Sequence, residues 1–106
     1  MAFSKHHLYQ PTDQIIAGYA HAFGHAARVI IIKQLVVMGP STVQSMAVYH
    51  PIHKESLSDH IKILRHYDLV EWRESYPYTI YSPHLENIKK ACKFLVDYIE
   101  VIRPMG

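Results

Sequence analysis

Residues 52–81 read Ile-His-Lys-Glu-Ser-Leu-Ser-Asp-His-Ile-Lys-Ile-Leu-Arg-His-Tyr-Asp-Leu-Val-Glu-Trp-Arg-Glu-Ser-Tyr-Pro-Tyr-Thr-Ile-Tyr. The first half carries apolar residues at 57, 61, 64 and 67, with Ile63 beside them. A 4-3-3 spacing draws one buried stripe along a helix. Lys54, Glu55, Ser56, Asp59 and Lys62 fall on the polar face of that helix. From Leu69-Val70 the pattern changes: Trp72, Ser75 and Tyr76, a break at Pro77, then Tyr78, Ile80 and Tyr81. Aromatic and β-branched residues on either side of a Pro turn predict a hairpin. A helix with a polar outer face that runs straight into a small hairpin is the layout of a winged helix-turn-helix. The expected fold class is mainly α with a small β-hairpin wing (α+β), about five helices and two strands.

Upstream, Pro11 closes a loose arm of residues 1–11, and residues 12–106 form the domain. Thr12 or Asp13 is a suitable N-cap. The helix that follows places Ile15, Ile16, Tyr19, Ala20 and Phe23 on one side and ends at Gly24. A second helix runs from near His25 to about Met38. Val29, Ile30, Ile31, Ile32, Leu35 and Val36 make it apolar nearly all round, which predicts the central buried helix. Gly39-Pro40 stops it. Ser41 or Thr42 caps a short third helix, Val43 to about Val48, and Tyr49-His50-Pro51 is the turn into the helix quoted above. Asp68 lies just past the end of that helix, where a left-handed residue is often needed.

Ser82-Pro83 predicts the start of the last helix, with Ser as cap and Pro at its first position. That helix reaches about Ile102, a length of about 30 Å. Apolar residues recur at 85, 88, 92, 95, 99 and 102, and a second stripe holds Ala91, Phe94, Tyr98 and Val101. One stripe can cover the domain's own core; two call for a second surface, as in a dimerisation helix. A single wide stripe buried within one subunit is the alternative.

A chain of 106 residues with 49% hydrophobic content is one domain able to form a core. No uninterrupted apolar run is longer than that of Val29 to Ile32, four residues, far below the ~20 of a membrane span. The start, Met1-Ala-Phe-Ser-Lys-His-His, has no signal-peptide apolar block, so the expected compartment is the cytoplasm. The single cysteine, Cys92, excludes an internal disulfide and any Cys-x-x-Cys site. A net charge of +2 is modest for a nucleic-acid binder, and nine histidines add positive charge as pH falls toward 6. No nucleophile–base pair and no Gly-rich phosphate loop appears, so no enzyme activity and no cofactor are expected.

Ser58-Asp59-His60-Ile61-Lys62-Ile63-Leu64 with Asp68-Leu69-Val70 resembles the Ser-x-His-Leu-x-x-Leu … Gly-Leu-Val signature of ArsR-type (arsenical-repressor-like) transcriptional regulators. Phe23-Gly24-His25-Ala26-Ala27-Arg28-Val29-Ile30-Ile31 resembles their Leu-x-His-Pro-x-Arg-x-x-Ile-Leu segment. Ala47 stands 11 positions before Ser58, which suits their Glu-Leu-Ala helix without a gap. The likeness covers residues 15 to 100. It implies a homodimeric repressor that binds double-stranded DNA at an inverted repeat.

On that reading the fourth helix enters the major groove with His53, Lys54, Glu55, Ser56, Ser58 and Asp59. Lys54 suits a guanine edge or a phosphate, and Glu55 can accept from a cytosine amino group. Lys62 and Arg65 suit phosphates. Arg73, Tyr76 and Tyr78 of the wing reach the backbone or minor groove. Relatives pair through their first and last helices, which assigns the seam to Ile15, Tyr19, Leu85, Ile88, Cys92, Leu95, Ile99 and Ile102, with Cys92 a buried, inert thiol.

Several features depart from the family pattern. Residues 52–66 hold three cations (Lys54, Lys62, Arg65) and two anions (Glu55, Asp59), only +1 in sum. Tyr76-Pro77-Tyr78 replaces a basic, Gly-containing wing tip, and Glu71 and Glu74 repel phosphate. Pro51 stands where relatives have Gly, and its φ is fixed near −65°. A winged-helix module that binds proteins through its tyrosines is therefore a rival reading. A metal-responsive regulator is another, since His21 with His25, or His50 with His53, are fragments of a ligand set. Zinc wants about four converging donors, and His84, Cys92 and Glu100 of the last helix do not supply the family's pairs. No metal site is expected, and His60 is expected to be structural.

Overall fold

The structure, a computed structural model, describes residues 9–50 and 53–105. Five helices and one hairpin follow in the order α1 (Pro11–Ala22), α2 (Ala26–Met38), α3 (Val43–Ala47), α4 (Lys54–His66), β1 (Val70–Ser75), β2 (Tyr78–Pro83) and α5 (Leu85–Ile102), closed by a 3-10 turn at Arg103–Met105. Residues 1–8 of the expected arm, and the Pro51 turn, lie outside the described residues.

The stripe that decided the fold is buried as its spacing requires: Leu57, Ile61 and Leu64 of α4 are all but inaccessible. They meet Ile31, Ile32 and Leu35 of α2, Met46 of α3, Leu69 and Val70 at the start of the wing, and Ala91 of α5. Each fully buried aliphatic side chain of this size contributes about 1.5–3 kcal/mol through removal from water. That driving force seats a five-residue α3 that could not hold itself in water.

Caps fix where the helices begin. Thr42 accepts from Ser45 N–H at 3.0 Å to start α3. His25 starts α2 by accepting from Ala27 N–H at 3.0 Å. Asp68 takes the left-handed conformation anticipated past α4, at φ 57°. Gly24 has a different reason to be glycine: a Cβ there would meet the Ala20 carbonyl oxygen at 2.9 Å.

The wing is a two-stranded antiparallel ribbon in which Trp72 faces Tyr81, Arg73 faces Ile80 and Glu74 faces Thr79. Ser41 adds an isolated antiparallel bridge, exchanging two backbone hydrogen bonds with Tyr81 at 2.8 and 2.9 Å. The link between α2 and α3 is thereby pinned to the wing.

Three expectations need correction. The first helix begins at Pro11 rather than beyond it, with Gln10 as an N-cap that makes no side-chain bond. The last helix begins at Leu85, because Ser82 and Pro83 are taken up as the end of β2; His84 caps it, its Nδ1 accepting from Asn87 N–H at 3.2 Å. The second helix is not buried all round: Ile31, Ile32 and Leu35 face the core, while Val37 is 81% exposed and Val36 and Met38 are open. Cys92, assigned to the seam, is exposed on the single chain. No single helix among the described residues is long and apolar enough to cross a membrane; α1 and α2 pass that test only jointly, and they are bent by 86° at their junction.

Candidate nucleic-acid interface

At 100° per residue, the buried side of α4 fixes what its opposite side displays. Glu55, Asp59, Lys62 and His66 form the outermost ridge, and all four are exposed. His53, Lys54 and Ser56 are also exposed at the N-terminal end, and Ser58 is half-buried on the flank. His53 is the N-cap but makes no side-chain capping bond, so its ring is not committed there. Lys62 lies 4.0 Å from Asp59 with both side chains mostly in solvent, a weak pairing that a phosphate can displace.

Arg65 is held more firmly: its guanidinium stands 4.6 Å over the Trp72 ring and ties the end of α4 to the wing. Arg73 and Tyr78 are exposed on the two strands, and Tyr76 at the tip is 98% exposed. Both wing carboxylates have neighbours. Glu74 accepts from the Thr79 hydroxyl at 3.2 Å, and Glu71 lies 3.5 Å from His84 Nε2.

One group of residues was missed in the sequence. Ser41, Thr42 and Ser45 meet Arg73 across a cleft of about 340 Å³ between the start of α3 and the wing. Three hydroxyl-bearing residues and an Arg about thirty positions downstream share no spacing that could announce them. The Ser41–Tyr81 bridge is what brings them together.

On the other side of the molecule, α5 packs on α1, with the Tyr19 and Phe94 rings 5.9 Å apart. Ala91 is buried, and Ile88, Phe94 and Leu95 are half-buried. Leu85, Cys92, Val96, Ile99 and Ile102 are left exposed along the outward side, and Ile15 is exposed on α1. The residues assigned to a seam thus divide: Tyr19 and Ile88 pack against the chain's own core, while Ile15, Leu85, Cys92, Ile99 and Ile102 remain open.

Among the described residues, no group of three or more His, Cys, Asp or Glu is placed to hold a metal ion. The histidines have other surroundings. His21 Nδ1 is 2.7 Å from the Tyr67 hydroxyl. The His60 ring lies tilted by 48° against the His25 ring, and His60 bonds Arg28. His50 is buried, and its two ring nitrogens have no hydrogen-bond partner among the described residues. Burial lowers the pKa of both His50 and His60 below the ordinary value, and nearby positive charge lowers that of His60 further.

No family model matches the sequence, and none of the curated proteins does. Solved structures do match. A possible transcriptional regulator for arsenical resistance superposes with a TM-score of 0.73 at 18% identity, over 83% of this chain and 93% of that one. An ArsR-like transcriptional regulator from Rhodococcus sp. RHA1 gives 0.72 at 20% identity over 91% of each chain. NolR from Sinorhizobium fredii gives 0.67 at 25% identity over 95% of each. The chain has the winged helix-turn-helix fold of ArsR-type regulators, as the sequence resemblance implied.

Proposed function

We propose that this chain is a DNA-binding transcriptional regulator, most simply a repressor, that acts as a homodimer on an inverted repeat in the cytoplasm. The observation that carries the reading is the placement of α4: its apolar stripe is locked in the core and its polar ridge stands unobstructed beside the wing. Lys54, Glu55, Ser56, Ser58 and Asp59 read base edges, with His53 at the entry. Lys62, Arg65 and Arg73 hold phosphates, and Tyr76 and Tyr78 lie along the backbone or minor groove. Two copies joined through the open sides of α1 and α5 present two such helices to successive turns of the duplex.

Selection of bound sequences from random duplexes, with and without added zinc, tests this. The expected result is a palindromic motif, the same in both conditions. Lys54→Ala weakens binding, and Lys62→Ala lowers the slope of log affinity against log salt by about one. Unchanged titrations in both variants would remove α4 from the contact.

A second reading has its own support. The fully exposed Tyr76 and the wing's two carboxylates suit a protein partner better than phosphate. Under it the selection returns no motif and no salt-dependent affinity.

A further inference from the structure

Arg28 is a charged residue only 6% exposed, and all its side-chain bonds run to other elements. Its Nε donates to the Ala22 carbonyl at 2.9 Å and Nη2 to the His21 carbonyl at 2.8 Å, which closes the end of α1. Nη1 lies 3.0 Å from His60 Nδ1, on the middle turn of α4. A guanidinium has donors and no acceptor, so His60 Nδ1 must be the accepting nitrogen and its proton must sit on Nε2. The His25 ring is 4.4 Å from the His60 ring, centroid to centroid.

We propose that this contact is an acid-labile tie: neutral His60 holds α4 to Arg28, and protonation at Nδ1 breaks the bond and sets two cations face to face. The charged and titratable groups around His60 are Arg28 and His25 of α2, His50 of the segment after α3, and its neighbour Asp59 on α4. Only Asp59 favours the protonated ring; burial, then His25, Arg28 and His50, all oppose it. A proton taken from solvent is therefore bound more readily when the ring turns away from Arg28, which couples acidification to release of α4. Leu57, Ile61 and Leu64 keep the helix on the core, so release loosens and re-aims it rather than unfolding the domain. The consequence for DNA affinity rests on the function proposed above; the tie itself does not.

The test uses the full chain without DNA. Imidazole nitrogen shifts at about pH 7.5 should show the Nε2–H tautomer of His60. Between about pH 7.5 and 5.5, hydrogen-exchange protection of α4, corrected for intrinsic rates, should fall about tenfold. His60→Asn supplies an acceptor near the Nδ1 position and cannot titrate, so α4 protection should become flat with pH. His50→Gln should leave the acid response in place. An Nδ1–H tautomer, an unchanged response in His60→Asn, or a response lost in His50→Gln instead overturns the proposal. If His60→Asn fails to fold, the wild-type titration decides: a His60 pKa at or above 6.5 overturns it. A chain that shows the response yet binds no duplex at any pH keeps the tie and refutes the regulator reading. One that binds DNA without the response does the reverse.

Discussion

Ile99→Ala is the substitution that most directly probes the proposed pairing of two copies. Ile99 lies on the outward side of α5 and is 51% exposed in the single chain, so about half its side chain remains to be removed from water. Full burial of an isoleucine contributes about 1.5–3 kcal/mol, so the remaining half amounts to about 1 kcal/mol. A two-fold interface uses each residue twice, which brings the loss to about 2 kcal/mol per dimer. The dimer dissociation constant should then rise about thirtyfold. Ile99→Asp should do more, because each copy would also bury an unpaired carboxylate. Sedimentation equilibrium over nanomolar to high micromolar protein reads the constant directly. Val37→Ala is the control: Val37 is 81% exposed on α2, in a groove lined by Ile30, Gln34, Met38 and Tyr49 with no residue of α1 or α5, and its loss should leave the constant unchanged. A wild-type chain that stays a single subunit at micromolar concentration, or a constant that moves with Val37 and not with Ile99, refutes the assignment of the seam.

Further outcomes follow from the core and its polar ties. Leu64→Ala empties a site with no solvent access and should cost about 2–5 kcal/mol in urea denaturation, with helix content retained below the midpoint. Arg28→Ala strips partners from two α1 carbonyls and from His60, and should cost about 3 kcal/mol or more by the same measurement. Asp68→Gly relieves a left-handed non-glycine residue and should raise stability by up to about 1 kcal/mol, whereas Asp68→Val should lower it. His50 and His60 titrate below 6.5 when folded, so the unfolded chain binds more protons in that window. Stability should therefore be full above pH 6.5 and fall as pH drops below it, with the loss halting beneath the folded pKa values.

The parts legible in the sequence were those set by periodicity. The 57-61-64 stripe fixed which side of α4 is buried, and therefore which residues it displays. The alternation around Pro77 fixed the wing, and Asp68 announced the left-handed stop. The parts that were not legible depend on partners distant in the chain. Ser82-Pro83 looks like a helix start locally, yet β2 continues through it because Val70 and Glu71 stand opposite to pair with it. The outer side of α2 is as apolar as its inner side, so composition alone could not say that Val36, Val37 and Met38 stay open. His25, Arg28 and His60 each matched a family position, but nothing in their spacing shows that one guanidinium joins α1, α2 and α4.

The charge on α4 links its two proposed properties. No acidic residue occurs between Asp13 and Glu55, so the helix-turn-helix up to α4 carries only cations and neutral groups. Acids reappear at Glu55 and Asp59, on the ridge that faces the bases under the proposed docking. Carboxylates in that place add nothing to phosphate attraction and act only through the bases they accept from or repel. A single subunit is left with Lys62, Arg65 and Arg73 for the backbone, and Arg65 is partly engaged by Trp72. Two or three phosphate contacts give a shallow salt dependence and weak binding. Two subunits held together double the count and make the second contact intramolecular, which multiplies affinity by orders of magnitude without new chemistry. Disrupting α5 should thus abolish operator binding with α4 intact, and a covalently linked pair carrying Ile99→Asp should recover it. Linked pairs that remain inactive would place the defect in the reading helices rather than in their pairing.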